Sequence, residues 1–277
     1  MTGRLMGKVA IVTGADSGMG KAISQLFAKE GAKVALADIN AQGIEEVKQA
    51  IEQAGGQAAA KVTNVVKQED VDGVIDFATQ TFGQLDILVN NAGIMDNFTP
   101  VGNLTDAEYE RVMAINLTGP VKLCRAAIQV MEKQETGGVI INNASVGGLF
   151  GTRGGAAYTM AKHALVGLTK NIAGTYGRFG KVRANVIAPG GVATNIQTTI
   201  TAPDPLGMQA LQATGEPPIG QPGQIANLAL FLASDEASFI NGDIVKADGV
   251  GRLTNCIKKD RLVITAGLFD AVNGLVG

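Results

Sequence analysis

The sequence predicts an α/β fold, a three-layer doubly wound parallel sheet of about seven strands with helices on both faces. Three observations carry that expectation. Short β-branched apolar runs alternate with longer segments of 3.6-residue periodicity, the runs are apolar almost throughout, and several periodic segments stop at glycine. Repeated strand–helix alternation implies right-handed βαβ units. A continuous apolar run suits a strand buried on both faces, and glycine ends helices because it takes the left-handed conformation freely.

Taken in order, a first strand KVAIVT (8–13) leads into a helix at 18–31, GMGKAISQLFAKEG, which stops at Gly31. KVALAD (33–38) is the second strand, and AQGIEEVKQAIEQAG (41–55) is the second helix. AAAKVT (58–63), a helix at 68–83 ending in Gly83, and DILVNN (86–91) follow. The longest periodic segment, 106–133, reads as one helix. GVIINNAS (138–145), a helix at 158–177, VRANVIAP (182–189) and DIVKAD (243–248) complete the alternation. The stretch 190–223 is rich in Pro, Gly and Thr, lacks periodicity and is too long for an ordinary connection, so it is expected to be a substrate lid loop.

With 277 residues the chain sits near the upper end for a single hydrophobic core, and one domain over 1–277 is the expectation. Apolar residues make up 46% and charged residues 17%, a globular balance. The net charge of −2 gives no electrostatic reason to expect nucleic acid or an anionic membrane as partner. Cys124 and Cys256 form neither a disulfide framework nor a metal cluster, and His163 is the one histidine, so no metal is expected. The segment MTGRLMGKVAIVTG lacks the features of a secretory signal, and no apolar run approaches membrane-spanning length. A cytoplasmic protein is the simplest reading.

The chemistry gathers at strand ends. TGADSGMG (13–20) follows the first strand and opens the first helix. Glycines there let the backbone approach a pyrophosphate, and the helix N-terminus supplies N–H donors. Gly14, Gly18 and Gly20 do not match the G-x-G-x-x-G spacing, but Asp38 ends the second strand twenty positions beyond Gly18, where a ribose-binding acid belongs. Together these make a Rossmann-type dinucleotide site the expectation. Tyr158 and Lys162, four apart on a helix, leave the same face. His163 is turned away from that face and reads as a surface residue, Arg153 reads as a solvated loop residue, and Cys124 as a buried helix residue.

The six motifs TGADSGMG, NNAG (90–93), INLTG with Asn116, INNASVGG with Ser145, YTMAK with Tyr158 and Lys162, and APGGVAT (188–194) occur in the order found in short-chain dehydrogenases/reductases. From about residue 5 to 249 the chain resembles the short, single-domain, NAD-preferring branch of that family. The resemblance implies an NAD-dependent oxidoreductase interconverting a secondary alcohol and a ketone. It implies Tyr158 as general acid/base, Ser145 bonded to the reacting oxygen, Lys162 on the ribose hydroxyls and Asn116 positioning a water. It places the cofactor along Gly14, Asp16, Ser17, Gly18, Met19, Gly20, Asp38, Asn64, Val65, Asn91, Ala92, Gly93, Tyr158, Lys162, Pro189, Gly190, Val192 and Thr194. It also implies a homotetramer, with helices around 105–133 and 155–178 at one interface. A 3-oxoacyl thioester reductase and a non-catalytic nucleotide-binding regulator are the rival readings.

Physical chemistry adds three expectations. Lys162 and a nicotinamide cation beside Tyr158 would favour the phenolate, and lowering its pKa by about two to three units needs about 3–4 kcal/mol. Asp38 should repel a 2′-phosphate, and neither Ser17 nor Ile39 offers the cation that would rescue it. Asp16, an unusual acid in the phosphate loop, should point outward or accept from backbone N–H groups. Met95, Val146, Leu149, Phe150, Leu206 and Met208 suggest an apolar substrate. The tail at 250–277 runs on past the resemblance and has no assigned role.

Overall fold

The computed structural model describes residues 3–215 and 218–249. The tail expected to be of unclear role, 250–277, and Cys256 within it lie outside the described residues. Seven parallel strands form one sheet in the order β3-β2-β1-β4-β5-β6-β7. They are β1 Val9–Thr13, β2 Lys33–Asp38, β3 Gln57–Val62, β4 Ile87–Asn90, β5 Gly138–Asn143, β6 Val182–Pro189 and β7 Ile244–Ala247. The strand order reverses between β1 and β4, which opens a crevice at the carboxyl ends of the strands.

Eight α-helices are described: α1 Gly18–Lys29, α2 Ala41–Gln53, α3 Gln68–Phe82, α4 Asp106–Met113, α5 Gly119–Met131, α6 Ala156–Phe179, α7 Pro205–Ala213 and α8 Pro222–Ala233. Side chains alternate along each strand and so feed two separate cores. Ala10 and Val12 of β1 with Val34 and Leu36 of β2 pack under α1, α2 and α8. Val9 and Ile11 of β1 with Ala35 and Ala37 of β2 pack under α3, α5 and α6. This is the three-layer arrangement the alternation predicted.

Three elements differ from expectation. The single periodic segment at 106–133 is broken by a π turn, Ala114–Thr118, between α4 and α5. Asn116 sits in that turn, and π turns inside helices are frequent at functional sites because they re-aim one residue. The lid segment is not all loop: a 3-10 turn at Asn195–Thr199 and α7 occupy it. Asp204 caps α7 by accepting from Leu206 N and Gly207 N. Helix α8 shows no 3.6-residue contrast in the sequence, because its PGQIANLALFLA is apolar on nearly every side. Its contrast is erased because it is buried against α1. Among the described residues no helix is long and apolar enough to cross a membrane.

Leu88 of β4 is fully buried and pairs with Ile11 of β1 and Ile140 of β5. Leu88→Ala is expected to cost about 2–5 kcal/mol in urea unfolding, because the close-packed sheet centre cannot collapse onto the cavity. A loss below about 1 kcal/mol would mean that this strand is not the rigid centre of the core.

Candidate active site

The segment between β1 and α1 turns through two left-handed glycines, Gly14 at φ +65 and Gly18 at φ +52. A Cβ on Gly20 would lie 1.9 Å from Gly14 O, so the helix start can close on the strand end only with glycine there. Ser17 occupies the N-cap position of α1 without a side-chain cap bond, which leaves that helix end its N–H donors. Thr194 Cγ2 stands 3.0 Å from where a Gly18 Cβ would be, so the segment after β6 faces this turn.

Asp38 ends β2 beside it. Its Oδ1 accepts from Asn40 N at 3.0 Å, and its Oδ2 faces Asp16 N at 3.5 Å. Asp16 is half-buried, and its carboxylate accepts from no backbone N–H among the described residues. Its carboxylate accepts from the Asn40 side-chain amide at 3.1 Å and lies next to Asp38. Burial first, and then the neighbouring Asp16 charge, push the Asp38 carboxyl above its ordinary value. Two exposed apolar side chains, Ile39 and Val62, flank this acidic pair. Asn64 uses its Oδ1 to accept from Val66 N at 3.0 Å, an Asx turn that leaves its amide hydrogens, while Val65 is buried against Gly119.

Amides lock the strand ends together. Asn91 Nδ2 donates to Thr13 O at 2.9 Å and Gly14 O at 3.2 Å, so its Oδ1 has to be the end that accepts from Asn143 Nδ2 at 2.9 Å. Thr13 Oγ1 in turn accepts from Asn91 N and Ala92 N. Asn91 therefore lines the site as a brace between β1, β4 and β5, with its own amide fully engaged. Asn143 Oδ1 is left buried and without a partner among the described residues.

The residues singled out for catalysis converge at the end of β5 and the first turns of α6. Tyr158 and Lys162 are both at least nine-tenths buried. The Ser145 hydroxyl, held by Gly147 N at 2.9 Å, is hydrogen-bonded to the Tyr158 hydroxyl. Lys162 Nζ donates to Asn143 O at 2.9 Å and stands 5.7 Å from the Tyr158 ring centre. Burial lowers the Lys162 pKa to about 8. The Tyr158 phenol is pushed up to about 12, by burial first and by the Asp96 charge, with Ser145 opposing. That is opposite to the lowering the sequence led us to expect. The expectation counted on Lys162, whose ammonium is turned to Asn143 O, and on a positive nicotinamide.

Asn116 is fully buried and reciprocally bonded to one residue: Oδ1 accepts from Ile94 N at 2.9 Å, and Nδ2 donates to Ile94 O at 2.8 Å. Both ends of its carboxamide hold the loop after β4. If the water that the resemblance implied were held by this side chain, it would have to share Oδ1. Gly93 lies over this group, a Cβ there falling 3.2 Å from Asn116 Oδ1 and 3.6 Å from Lys162 Nζ.

A cavity of about 660 Å³ opens from Ser145, Tyr158 and Lys162. Met19, Asn91, Gly93, Pro189, Gly190, Val192 and Thr194 line its inner end, while Gly14, Asp38, Asn64 and Val65 lie outside it. The outer walls are apolar: Met95, Val146, Phe150 and Met208 as expected, joined by Phe98, Ile196 and Leu211. Leu149 packs instead near Leu165 and Val166, and Leu206 is exposed. Arg153, read as a solvated loop residue, is half-buried in the cavity wall. His163 is on the surface, its Nδ1 at 2.9 Å from Thr159 O, and Cys124 is buried in α5 with its thiol pushed up to about 12 by burial.

Comparison with known proteins agrees with this arrangement. A family model described as Enoyl-(Acyl carrier protein) reductase matches residues 14–249. A 3beta-hydroxysteroid dehydrogenase 2 of Eggerthella lenta is 43% identical over 247 residues, 88% of this chain and 95% of that protein. The chain belongs to the short-chain dehydrogenase/reductase family. A cyclohexanol dehydrogenase of Acinetobacter sp. is 35% identical over 249 residues, 90% of this chain and 96% of that protein. A crystal structure of levodione reductase superimposes with a TM-score of 0.81 at 34% identity, covering 88% of this chain and 97% of that one. The chain is thus a short-chain oxidoreductase, and alcohol–ketone oxidoreduction is the activity common to these relatives.

Members of the family use nicotinamide cofactors, and the residues present fit one. The glycine turn admits a backbone-hugging pyrophosphate at an uncapped helix end, and the buried Asn143 Oδ1 is an acceptor with no donor among the described residues.

The buried lysine makes a stability prediction. Between about 8 and its ordinary value of 10.5, the unfolded chain holds a proton that the folded chain does not, so this group's contribution to stability rises with pH across that window. Lys162→Met is expected to stabilise the protein without cofactor at pH 7 by up to about 3 kcal/mol. The gain should vanish above pH 10.5 in paired urea titrations. A destabilised variant at pH 7 would show that the ammonium is not carrying a burial cost.

Proposed function

We propose that this chain is an NAD-dependent dehydrogenase/reductase of apolar, ring-bearing secondary alcohols and their ketones, with Tyr158 as general acid/base. The observation that carries the reading is Ser145, Tyr158 and Lys162 gathered at the inner end of one apolar cavity. When bound, the nicotinamide supplies the hydride chemistry. In the oxidation direction Tyr158 takes the hydroxyl proton of the substrate, and in reduction it returns a proton to the ketone oxygen. Ser145 holds that oxygen while already bonded to the phenol. Lys162, bonded to Asn143 O in the protein alone, would hold the ribose hydroxyls, and its positive charge would counter the burial that keeps Tyr158 protonated. The apolar outer walls exclude water and favour a hydrophobic substrate. The names of the steroid and cyclohexanol enzymes support a ring alcohol in particular.

NAD is the form favoured by Asp38, because Asp16 adds a second carboxylate where a 2′-phosphate would sit. At about 4 Å and an effective dielectric near 20, each unit-charge pair repels by about 4 kcal/mol before screening. The protein is read as cytoplasmic from its sequence and as a homotetramer by family resemblance, with the surfaces of α4, α5 and α6 at one interface. Light scattering that found only monomer at micromolar concentration would remove that part. A 3-oxoacyl thioester reductase is the second reading, supported by a 35% identical relative named 3-oxoacyl-[acyl-carrier-protein] reductase.

Two measurements test the main reading. Tyr158→Phe is expected to lower kcat by at least about 10²-fold while leaving dinucleotide affinity nearly intact, since it removes the proton and little surface. A variant keeping more than about a tenth of the activity would sink the acid/base assignment. On the wild type, kcat/KM should strongly favour NAD over NADP, and the preference should relax in Asp38→Ser. Equal values for the two cofactors would refute the role given to Asp38. Turnover of cyclohexanol-type and steroid alcohols against 3-oxoacyl thioesters separates the two substrate readings.

A further inference from the structure

Helix α6 begins without a cap of its own. Gly155 occupies the N-cap position and makes no side-chain cap bond. Nor is there room for one: a Cβ at 155 would lie 2.5 Å from Thr99 N and 2.6 Å from Asp96 Oδ2. The loop after β4 fills that space and does the capping itself. Asp96 Oδ1 accepts from Gly155 N at 2.8 Å, and its Oδ2 accepts from Tyr158 N at 2.9 Å. Thr99 O accepts from Ala156 N at 2.9 Å. Three of the N–H groups that a helix start leaves open, those of Gly155, Ala156 and Tyr158, are therefore satisfied from a segment some sixty positions earlier in the chain.

Asp96 is fully buried and ties down its own loop as well, accepting from Phe98 N at 3.0 Å. Phe98 is the one non-glycine residue with positive φ among those described, at +60, and its side chain lines the cavity. Backbone held in that region is strained and persists only where surrounding bonds impose it. A negative charge at a helix N-terminus is also favoured by the helix dipole. Asp96 thus stands where one side chain can set both the first turn of α6, which carries Tyr158, and the wall the substrate meets.

We propose that Asp96 is a positioning residue for the proton transfer: it supplies from the β4 loop the N-terminal cap that the catalytic helix lacks, and so sets where the Tyr158 phenol stands against Ser145. The proposal rests on the reading of Tyr158 as the acid/base. It has an electrostatic consequence, because a carboxylate beside the phenol favours the protonated form. The other charged groups around Tyr158 are Lys162 on its own helix, Arg153 on the loop before it, and Asp248 after β7, all lining the same cavity. Replacing Asp96 alone therefore moves the phenol's ionisation in one direction, downward.

Asp96→Asn tests this with nearly the same shape. The amide oxygen still accepts from Gly155 N and Phe98 N, but its NH₂ then faces Tyr158 N–H, donor against donor. Alcohol oxidation requires the deprotonated phenol, so the rising limb of its pH–rate profile is expected to shift to lower pH. Displacement of the phenol should at the same time lower kcat by roughly 10- to 100-fold. Dinucleotide affinity, read by fluorescence titration, should be unchanged. A merely structural residue would lower the amplitude and leave the limb in place. A folded Asp96→Asn with its limb at the wild-type pH overturns the proposal.

Should that variant fail to fold, Asp96→Glu decides, since it keeps the charge and displaces it by one methylene. Lower kcat with the limb near the wild-type position is expected, and wild-type kcat overturns the proposal. Tyr158→Phe assayed alongside keeps the two failures apart. An inactive Tyr158→Phe with an unmoved Asp96→Asn limb removes the role of Asp96 alone, whereas an active Tyr158→Phe removes the acid/base reading itself.

Discussion

An ammonium group kept out of water by one backbone carbonyl is the constraint around which this site is organised. Lys162 is 4% exposed, and its Nζ bonds to Asn143 O at 2.9 Å. A buried ion with so little compensation is costly, and its pKa falls to about 8 in consequence. Geometry holds the arrangement in place. A Cβ on Gly148 would lie 2.7 Å from Lys162 O, so the turn after β5 presses directly on α6. Asn143, which receives the lysine, is itself held by Asn91, and Asn91 by Thr13 and Gly14. The charge at the centre is thereby tied to the glycine turn at the far end of the cofactor site.

Tyr158 and Lys162 respond to burial in opposite directions, and both move toward their neutral forms. A phenol near 12 is a poor base at neutral pH. The protein by itself sets up position, a largely apolar cavity and a bonded Ser145, and a charge that lowers the phenol would have to come with the cofactor. Such a site resists ionising before the reactants are assembled. The doubly wound sheet makes the assembly possible, because parallel strands deliver the ends of β1, β4, β5 and β6 to one crevice.

Much of this was legible in the sequence. Every strand was expected within two residues of where it lies, since β-branched runs between glycines carry a strong local signal. Ser145, Tyr158 and Lys162 meet as their motifs implied. The residues that escaped notice act through long-range contacts that no local pattern records. Asp96 looks like an ordinary loop acid until the fold brings the start of α6 over it. Asn116 was singled out by its motif, but not its contact, which the π turn makes by directing the amide to Ile94. Helix α8 hid for a different reason, its polar contrast being lost where it is buried against α1. Without a cofactor Lys162 does not lower the Tyr158 pKa, because spacing gives its proximity but not where its ammonium points.

The central claim is that the cofactor's charge, acting with Lys162, turns a buried and protonated Tyr158 into a base. The chain contains only three tyrosines, Tyr109, Tyr158 and Tyr176, so phenolate absorbance can be followed with little overlap. Ultraviolet difference titration with and without saturating oxidised cofactor is the most direct measurement. One phenol is expected to ionise at least about two pH units lower when the cofactor is bound, the size of shift a neighbouring charge produces in a dry site. Superimposable titrations in the two conditions would contradict the account.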